Sequence, residues 1–394
     1  MAGDANTMAQ EDKAGVLDGI RRDFSQETLD IIADVQARAI QRAGHDDFGP
    51  DGYLRPLAMI LEETRDRPGI DFWKEEMEIA LVGRLVREAE WKRNPAYATR
   101  AIAAPLVICG IPRTGTTALH KLLSMDPQFQ GLDHWLTAWP KPRPPRAQWA
   151  DEPGFRHAVA LLEKRFANQP GMKISHDVVA DEVDECLEVL RLDFVANRFP
   201  SMTSLPDYDR WYQRQDETPY YRRLADTIRL IGLNDDRQWL LKNPGHFGHL
   251  DSLLAVFPDA RIIVTHRDPV KSLPSLCSVL RHSHQAVDPA ADLKAMARRE
   301  LAYWSDAKRR TERERANIPA GQILDVHHRE FHADPIGVAR GIYDRFGLTL
   351  TPETEAVMRA WLAANPADKH GVHTYDLATY GLTEDAIREA FGEG

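Results

Sequence analysis

Cysteine and long apolar runs are both scarce in this chain, and each scarcity excludes a class of protein. Three cysteines, Cys109, Cys186 and Cys277, occur among 394 residues, which excludes a disulfide framework and a cysteine-based zinc site. We predict that all three are small buried side chains. No apolar run approaches the roughly 18 residues that a membrane-spanning helix needs. We therefore expect no transmembrane segment.

Positive charge is also in short supply. The chain has 50 lysines and arginines against 60 aspartates and glutamates, for a net charge of −10. This balance argues against a nucleic-acid partner bound through bulk charge, although a local basic pocket for an anionic ligand is compatible with it. Residues 1–6 lack the basic and apolar regions of a secretory signal, so we expect a cytoplasmic protein.

The most informative stretch present is 106–123. Residues 106–110 form a short apolar run that predicts a buried strand, and apolar positions at helical spacing follow after a loop. The loop and the first helical turn contain Arg113, Thr114, Gly115, Thr116 and Thr117. A strand, loop and helix in this order direct backbone N–H groups and the positive end of the helix dipole at one point. The stretch therefore predicts an anion site, to which the threonines add hydroxyl donors.

The loop differs from a Walker A sequence. It lacks the Lys-Ser/Thr pair with which nucleoside triphosphatases hold the γ-phosphate and Mg²⁺. Arg113 is present instead, and its guanidinium can bind two oxygens of a sulfate or phosphate. The alternative is an ordinary strand-to-helix turn, in which Gly115 only relieves steric crowding.

A second motif lies at 261–275. Residues 261–267 predict another buried strand, after which Asp268 and Pro269 are typical of a helix N-cap and first helical position. Ser275 follows Arg267 by eight residues. Pro274 would interrupt the helix begun at Pro269, so we expect a kink or a restart there.

With both motifs in this order, the chain resembles the sulfotransferases that use 3′-phosphoadenosine 5′-phosphosulfate (PAPS). Their loop reads Pro-Arg-Ser/Thr-Gly-Thr-Thr, and their 3′-phosphate motif is Arg-Asp-Pro with a Ser eight residues after the Arg. The segments 239–246 and 184–186 are similar to the bacterial branch of the family, found in mycobacteria and proteobacteria. The resemblance covers roughly residues 50–390.

The fold that this resemblance implies is a three-layer, P-loop NTPase-like α/β sandwich with a central parallel sheet. The alternation of short apolar runs and helical patterns agrees with it. We expect a helical N-terminal region (1–100) packed on the core and a sulfotransferase α/β domain (101–394) with a helical cap inserted at about 135–235. We expect the N-terminal region to serve packing or oligomerisation, so a homo-oligomer is an open alternative.

Local patterns predict further elements. Strands are expected at 238–242 and 322–327, and helices at 14–42, 54–64, 72–93, 290–317 and 334–346. Apolar residues between Val179 and Leu190 are spaced as on one helix face, which would leave Glu185 and Glu188 on an exposed face.

The resemblance also implies roles for individual residues. The 5′-phosphosulfate would be held by Arg113, Thr114, Gly115, Thr116 and Thr117, and the 3′-phosphate by Arg267 and Ser275. Lys242 would stabilise the charge that develops on the leaving group. Glu185 is the leading general base, with Glu182 and His246 as alternatives. Related bacterial proteins carry a Glu after the Trp where this chain has Leu136, which leaves Asp133 and His134 as outside candidates for a catalytic acid.

The predicted reaction moves the sulfuryl group of PAPS to a hydroxyl of a small-molecule or lipid acceptor. Adenosine 3′,5′-bisphosphate leaves, and no metal is required. Two alternatives stay open: a P-loop-type nucleotide-dependent kinase and a catalytically silent nucleotide-binding relative. A kinase would need a loop lysine and a Mg²⁺-binding carboxylate, neither of which the motifs contain.

Overall fold

A five-stranded parallel sheet forms the centre of the computed structural model, which describes residues 18–168, 178–366 and 377–392. Its strands are β1 (Leu106–Gly110), β2 (Phe129–Gln130), β3 (Gln238–Lys242), β4 (Arg261–His266) and β5 (Ile323–His327). Their order is β2-β3-β1-β4-β5, and all neighbouring pairs run parallel. This confirms the predicted α/β fold with a central parallel sheet.

Both faces of the sheet are covered, as parallel strands require. Side chains alternate between the two faces, so Val107 and Cys109 enter one apolar cluster while Leu106 and Ile108 enter another. Every residue of β1 is buried. The continuous apolar run of β1 reflects this double coverage.

Three long helices form the N-terminal region: α1 (Gln26–Ala43), α2 (Leu54–Thr64) and α3 (Ile70–Arg93). The helix predicted at 14–42 is not continuous, because residues 18–23 form one helical piece, the chain bends at Phe24, and Ser25 caps α1. The Ser25 hydroxyl accepts the Thr28 N–H at 3.3 Å. Residues 14–17 lie outside the described part of the chain.

The N-terminal helices share a core with the sheet. Leu57 of α2 and Trp73 of α3 are fully buried in the same apolar cluster as Val107 of β1. Arg87 of α3 is also fully buried and donates two hydrogen bonds to Asp193, at 2.9 and 2.6 Å. A buried charge of this kind is tolerated because it is paired and hydrogen-bonded.

The chain between β1 and β3 contains α4 (Thr116–Leu123), α5 (His134–Ala138), α6 (Pro153–Asn168), α7 (Cys186–Leu190), α8 (Arg198–Met202), α9 (Pro206–Tyr212) and α10 (Thr218–Ile231). Its described residues within 135–235 are mostly helical, as expected. The role of this region as a cap stays a prediction.

The helix predicted across 179–190 is wrong before Cys186. Residues 180–185 run alongside 132–135, with an isolated antiparallel bridge between Asp133 and Val183. The apolar spacing fits a helix, but the backbone groups pair with a distant segment instead. Glu188 is buried, not exposed, because Arg191 and Arg198 bind its carboxylate at 2.8 and 2.7 Å.

The remaining helices are α11 (Leu250–Val256), α12 (Pro269–Val287), α13 (Leu293–Arg315), α14 (His328–Ala333), α15 (Pro335–Phe346), α16 (Pro352–Ala364) and α17 (Glu384–Ala390). The helix does not restart at Pro274 in the structure, since α12 continues through it. Pro274 removes one hydrogen bond, the one that would reach the Val270 carbonyl. The helix stays continuous because residues on both sides of Pro274 are buried against the core.

Candidate active site

The polar residues of both motifs meet at one edge of the sheet. The anion loop follows β1, Lys242 is the last residue of β3, and Arg267 comes directly after β4. These three strands are neighbours in the order β3-β1-β4, so their carboxyl ends open onto the same crevice. Ligands of open α/β sheets bind at such positions.

The anion loop depends on backbone conformations that favour glycine. Gly115, at the N-cap of α4, has φ 98°, and Gly110 has φ 143°. A Cβ on Gly110 would lie 2.5 Å from the carbonyl oxygen of Thr265, so β1 and the end of β4 could not approach this closely with another residue. Among the described residues no side chain caps α4, which leaves its first turn suited to an anion.

Arg113 links the two motifs. It has a left-handed backbone with φ 72°, and its Nε donates to the Ser275 hydroxyl at 3.2 Å. Arg267 in turn donates from Nη1 to the Arg113 carbonyl at 3.0 Å. The structure therefore brings together the residues predicted to hold the two ends of the nucleotide, although their roles stay predictions.

The threonines of the loop differ in environment. Thr114 is buried, and its hydroxyl donates to the Ile111 carbonyl at 2.7 Å and lies 2.5 Å from the Thr265 hydroxyl. That hydroxyl braces the loop. Thr116 is buried, whereas Thr117 is exposed at the crevice.

Lys242 is the buried cation of the crevice. Its side chain is 3% exposed, and its ammonium group binds the Glu185 carboxylate. The same ammonium lies 3.3 Å from the Thr117 hydroxyl of the anion loop. Lys242 thus connects the candidate base to the candidate donor site.

Glu185 immediately precedes α7, with an extended backbone (φ −88°, ψ 148°). Burial raises the pKa of its carboxyl above the ordinary value. The positive charge of Lys242 opposes that rise, and the negative charge of Asp184 adds to it. A carboxylate with a raised pKa has a greater affinity for a proton, as a general base requires.

Glu182 lies in a different environment. Its carboxylate binds the Lys121 ammonium at 2.7 Å, and its side chain is 46% exposed. Sequence reasoning missed Lys121, although Thr117 and Lys121 are four residues apart on α4 and so share a helix face. That four-residue spacing could have indicated Lys121 as a residue near Thr117.

His246 lies in the short helical turn that follows β3, four residues after Lys242. Its ring is fully buried, and Nδ1 shares a hydrogen bond of 2.6 Å with the Tyr221 hydroxyl of α10. Burial lowers the pKa of this imidazole to about 3. The described contacts of His246 are with α10, and its role as an alternative base stays a prediction.

The segment around Leu136 contains one buried apolar residue and two polar residues with hydrogen-bond partners. Leu136 is fully buried, and the Asp133 carboxylate accepts a hydrogen bond from Arg143 at 2.9 Å. His134 Nδ1 lies 2.5 Å from an Asp184 carboxylate oxygen. The sequence analysis included His134 as an outside candidate, but it did not predict Asp184 as its partner.

The cysteines are free and buried, as predicted. Burial raises the pKa of Cys186 and of Cys277 to about 12, so both remain thiols. Over 18–168, 178–366 and 377–392, no three His, Cys, Asp or Glu side chains are grouped so as to hold a metal ion. Within the same ranges, no helix has the length and apolar character to cross a bilayer.

Comparison with known proteins agrees with this geometry. The sequence profile described as the Sulfotransferase family matches residues 105–352, which include the anion loop, Lys242 and the Arg267 motif. The chain belongs to the sulfotransferase family. This confirms the family prediction made from the two motifs.

Two solved structures of the family are similar to this chain over most of its length. Sulfotransferase STF1 from Mycobacterium tuberculosis H37Rv is 34% identical, with a TM-score of 0.82, over 91% of this chain and 98% of that one. Sulfotransferase STF9 from Mycobacterium avium is 31% identical, with a TM-score of 0.83, over 92% and 95%.

A curated relative carries a more specific name. The omega-hydroxy-beta-dihydromenaquinone-9 sulfotransferase Stf3 of Mycobacterium tuberculosis is 26% identical over 262 residues. The alignment covers 62% of this chain and spans 63% of the length of that relative. The protein of the same name from Mycobacterium bovis matches equally.

Proposed function

We propose that this protein is a PAPS-dependent sulfotransferase that transfers the sulfuryl group to a hydroxyl of a small-molecule or lipid acceptor. The observation that carries the proposal is the convergence of the anion loop, Lys242 and the Arg267–Ser275 pair at one sheet edge. Cations at this edge suit a donor with negative charge at both its 5′ and 3′ positions.

The residues present fit such a donor. Gly115 and the first turn of α4 offer N–H groups for the 5′-phosphosulfate, beside the guanidinium of Arg113. Arg267 and Ser275 both contact Arg113, and there they would hold the 3′-phosphate. When bound, PAPS supplies the activated sulfuryl group, with the bisphosphate as leaving group.

Lys242 and Glu185 would divide the remaining work. The Lys242 ammonium lies against the anion loop, where it would stabilise negative charge on the departing phosphate oxygen. Glu185 would accept the proton of the acceptor hydroxyl. Glu182 and His246 stay the alternative bases, and we rank His246 lower because its ring is fully buried.

A lipid acceptor is the case that we favour. The name of Stf3 describes a sulfotransferase of a hydroxylated menaquinone, whose reactive group is a hydroxyl on a lipid. The sequence similarity to Stf3 supports a hydroxyl acceptor of this general class for the present chain.

The 3′-phosphate assignment is tested by Arg267→Ala. The variant should lose about 10–100-fold in affinity for adenosine 3′,5′-bisphosphate, since removing a charged hydrogen-bond partner costs about 1.5–3 kcal/mol. Its affinity for adenosine 5′-monophosphate should change much less. Calorimetric titration measures both, with Arg340→Ala as the control because that arginine is 55% exposed and binds Glu355.

Two further results decide the proposal as a whole. The wild type should bind the bisphosphate more tightly than ATP with Mg²⁺, and it should move radiolabelled sulfate from PAPS to an alcohol, phenol or hydroxylated quinone. Tighter binding of ATP with Mg²⁺ would favour a kinase. Bisphosphate binding without transfer to any acceptor would favour a silent relative.

A further inference from the structure

We propose that His134 is a positioning residue that decides which of two adjacent carboxylates binds Lys242. Because His134 forms a hydrogen bond with Asp184, the Lys242 ammonium pairs with Glu185 instead. The inference rests on the proposed function for its catalytic meaning, since it assigns to His134 the placement of the candidate base.

The contacts of Asp184 carry the argument. One carboxylate oxygen accepts a hydrogen bond from His134 Nδ1 at 2.5 Å, and the other accepts the backbone N–H of Glu185 at 2.7 Å. Both oxygens of Asp184 are therefore occupied. The two side chains are 10% and 14% exposed, so water competes little for this pair.

The backbone aligns the same residues. The Asp184 N–H donates to the Leu132 carbonyl at 2.7 Å, and the His134 N–H donates to the Glu182 carbonyl at 2.9 Å. These bonds hold the 132–135 and 180–185 segments side by side. Residue 134 is thereby fixed opposite Asp184, and Glu185 is directed towards β3.

Without His134, Asp184 would compete for Lys242. The ammonium charge is close enough to Asp184 to affect its ionisation, although the hydrogen bonds at Asp184 go elsewhere. Burial disfavours the Asp184 carboxylate, but the His134 contact and the Lys242 charge outweigh burial and hold its pKa below the usual range. Two carboxyl groups thus lie within the influence of one ammonium, and the His134 hydrogen bond separates them.

Other charged groups near Glu185 do not offer a substitute for Lys242. Glu188 of α7 is bound by Arg191 and Arg198, and Glu182 is bound by Lys121. Among these described pairs, the Glu185 carboxylate contacts the Lys242 ammonium alone. A displaced Glu185 would therefore be left with a buried charge, which favours protonation.

The first test uses a property that does not depend on turnover. The carboxyl of Glu185 is titrated by ¹³C nuclear magnetic resonance in the wild type and in His134→Ala. Loss of Lys242 as a partner should raise the midpoint by about one pH unit or more in the variant. An unchanged midpoint would overturn the proposal whether or not the protein transfers sulfate.

The second test is a double-mutant cycle with radiolabelled transfer from PAPS. His134→Ala should lower kcat about 10–100-fold, with affinity for adenosine 3′,5′-bisphosphate within about twofold of the wild type. In the Asp184→Asn background, no carboxylate at residue 184 competes with Glu185 for Lys242. Adding His134→Ala to that background should therefore lower kcat less than about threefold. Equal costs in both backgrounds would contradict the proposal.

Two control variants distinguish positioning from folding. His134→Asn keeps an N–H near the place of Nδ1 and should recover most of the activity that His134→Ala loses. His282→Ala removes an exposed histidine of α12 and should leave the titration and kcat unchanged. Absence of transfer in the wild type, together with the expected titration shift, would refute the proposed function and leave the positioning role intact.

Discussion

At the scale of single residues, the candidate site is a set of charges that are paired before any ligand binds. Lys242 is nearly buried, and an unpaired ammonium in that position would be strongly destabilising. Glu185 supplies the opposite charge, while Arg113 is held by Ser275 and Arg267 is held by the Arg113 carbonyl. Ligand binding at this edge therefore exchanges existing hydrogen bonds for new ones.

Arg113→Lys tests whether the guanidinium geometry matters. A lysine keeps the positive charge, but its single ammonium replaces a planar group that can bind Ser275 and a ligand together. We expect kcat for sulfuryl transfer in Arg113→Lys to fall at least about tenfold, to a level close to that of Arg113→Ala.

Steady-state kinetics on both variants measure this effect. Arg359→Lys is the control, because Arg359 is 55% exposed on α16 and lies outside the crevice. Near-normal turnover in Arg113→Lys would mean that Arg113 supplies only a general positive field.

At the scale of elements, the acidic segment 180–185 is held in place by its pairing with 131–135. Gly131 lies at the closest approach, where an added Cβ would be 2.5 Å from Val183 Cγ1. The Asp133–Val183 bridge and the Asp184 N–H bond to Leu132 follow directly. The position of Glu185 at the crevice is therefore a property of two segments that are distant in sequence.

Gly131→Ala should displace the acidic segment and spare the nucleotide motifs. The added methyl group must push Val183 away, because 2.5 Å is well inside van der Waals contact. We expect kcat for sulfuryl transfer to fall about tenfold or more, while affinity for adenosine 3′,5′-bisphosphate stays within about threefold.

Calorimetry and transfer kinetics separate the two effects of this substitution. Gly321→Ala is a matched control, since nothing lies within 4 Å of a Cβ at that position. Equal losses of binding and turnover in Gly131→Ala would show that the acidic segment also supports the nucleotide site.

At the scale of the whole molecule, several ionisable side chains are buried away from the crevice. Glu217 accepts a hydrogen bond from the Tyr212 hydroxyl at 2.6 Å and is 6% exposed. Burial raises its pKa to about 7, although the Tyr212 hydrogen bond lowers it in part.

The oligomeric state and the cytoplasmic location expected from the sequence stay predictions.

Glu217→Gln should alter the dependence of stability on pH. The folded carboxyl binds a proton up to about pH 7 and the unfolded one only to about pH 4.5, so wild-type stability falls as pH rises between these values. Glutamine removes this titration and still accepts the Tyr212 hydrogen bond. At pH 8 the variant should be more stable by up to about 3 kcal/mol, and at pH 4 the difference should vanish.

Urea unfolding at pH 4, 5, 6, 7 and 8 measures this difference. Glu389→Gln on α17 is the control, because that residue is exposed. A constant difference between Glu217→Gln and the wild type across this range would contradict the raised pKa of Glu217.

Local sequence patterns were sufficient for four of the five strands and for the edge of the crevice, whereas the two-residue β2 was not predicted. β3 has the predicted bounds, β4 ends one residue before Arg267, and the Asp268 side chain accepts the Val270 N–H at 2.9 Å as an N-cap should. Such features are readable because each depends on a few neighbouring residues: an apolar run, a capping side chain, a glycine.

The surroundings of the candidate base depended on tertiary contacts. The spacing around Val179–Leu190 predicted a helix, but backbone pairing with 132–135 kept residues 180–185 out of one. In the same region, Asp184 forms a hydrogen bond with His134, and Lys242 forms an ion pair with Glu185. Packing against α10 buries His246. These partners are about 50 or more residues apart in the sequence or belong to different layers of the fold. Hydrophobic periodicity predicts which face of a segment is buried, but it does not predict which other segment packs against that face.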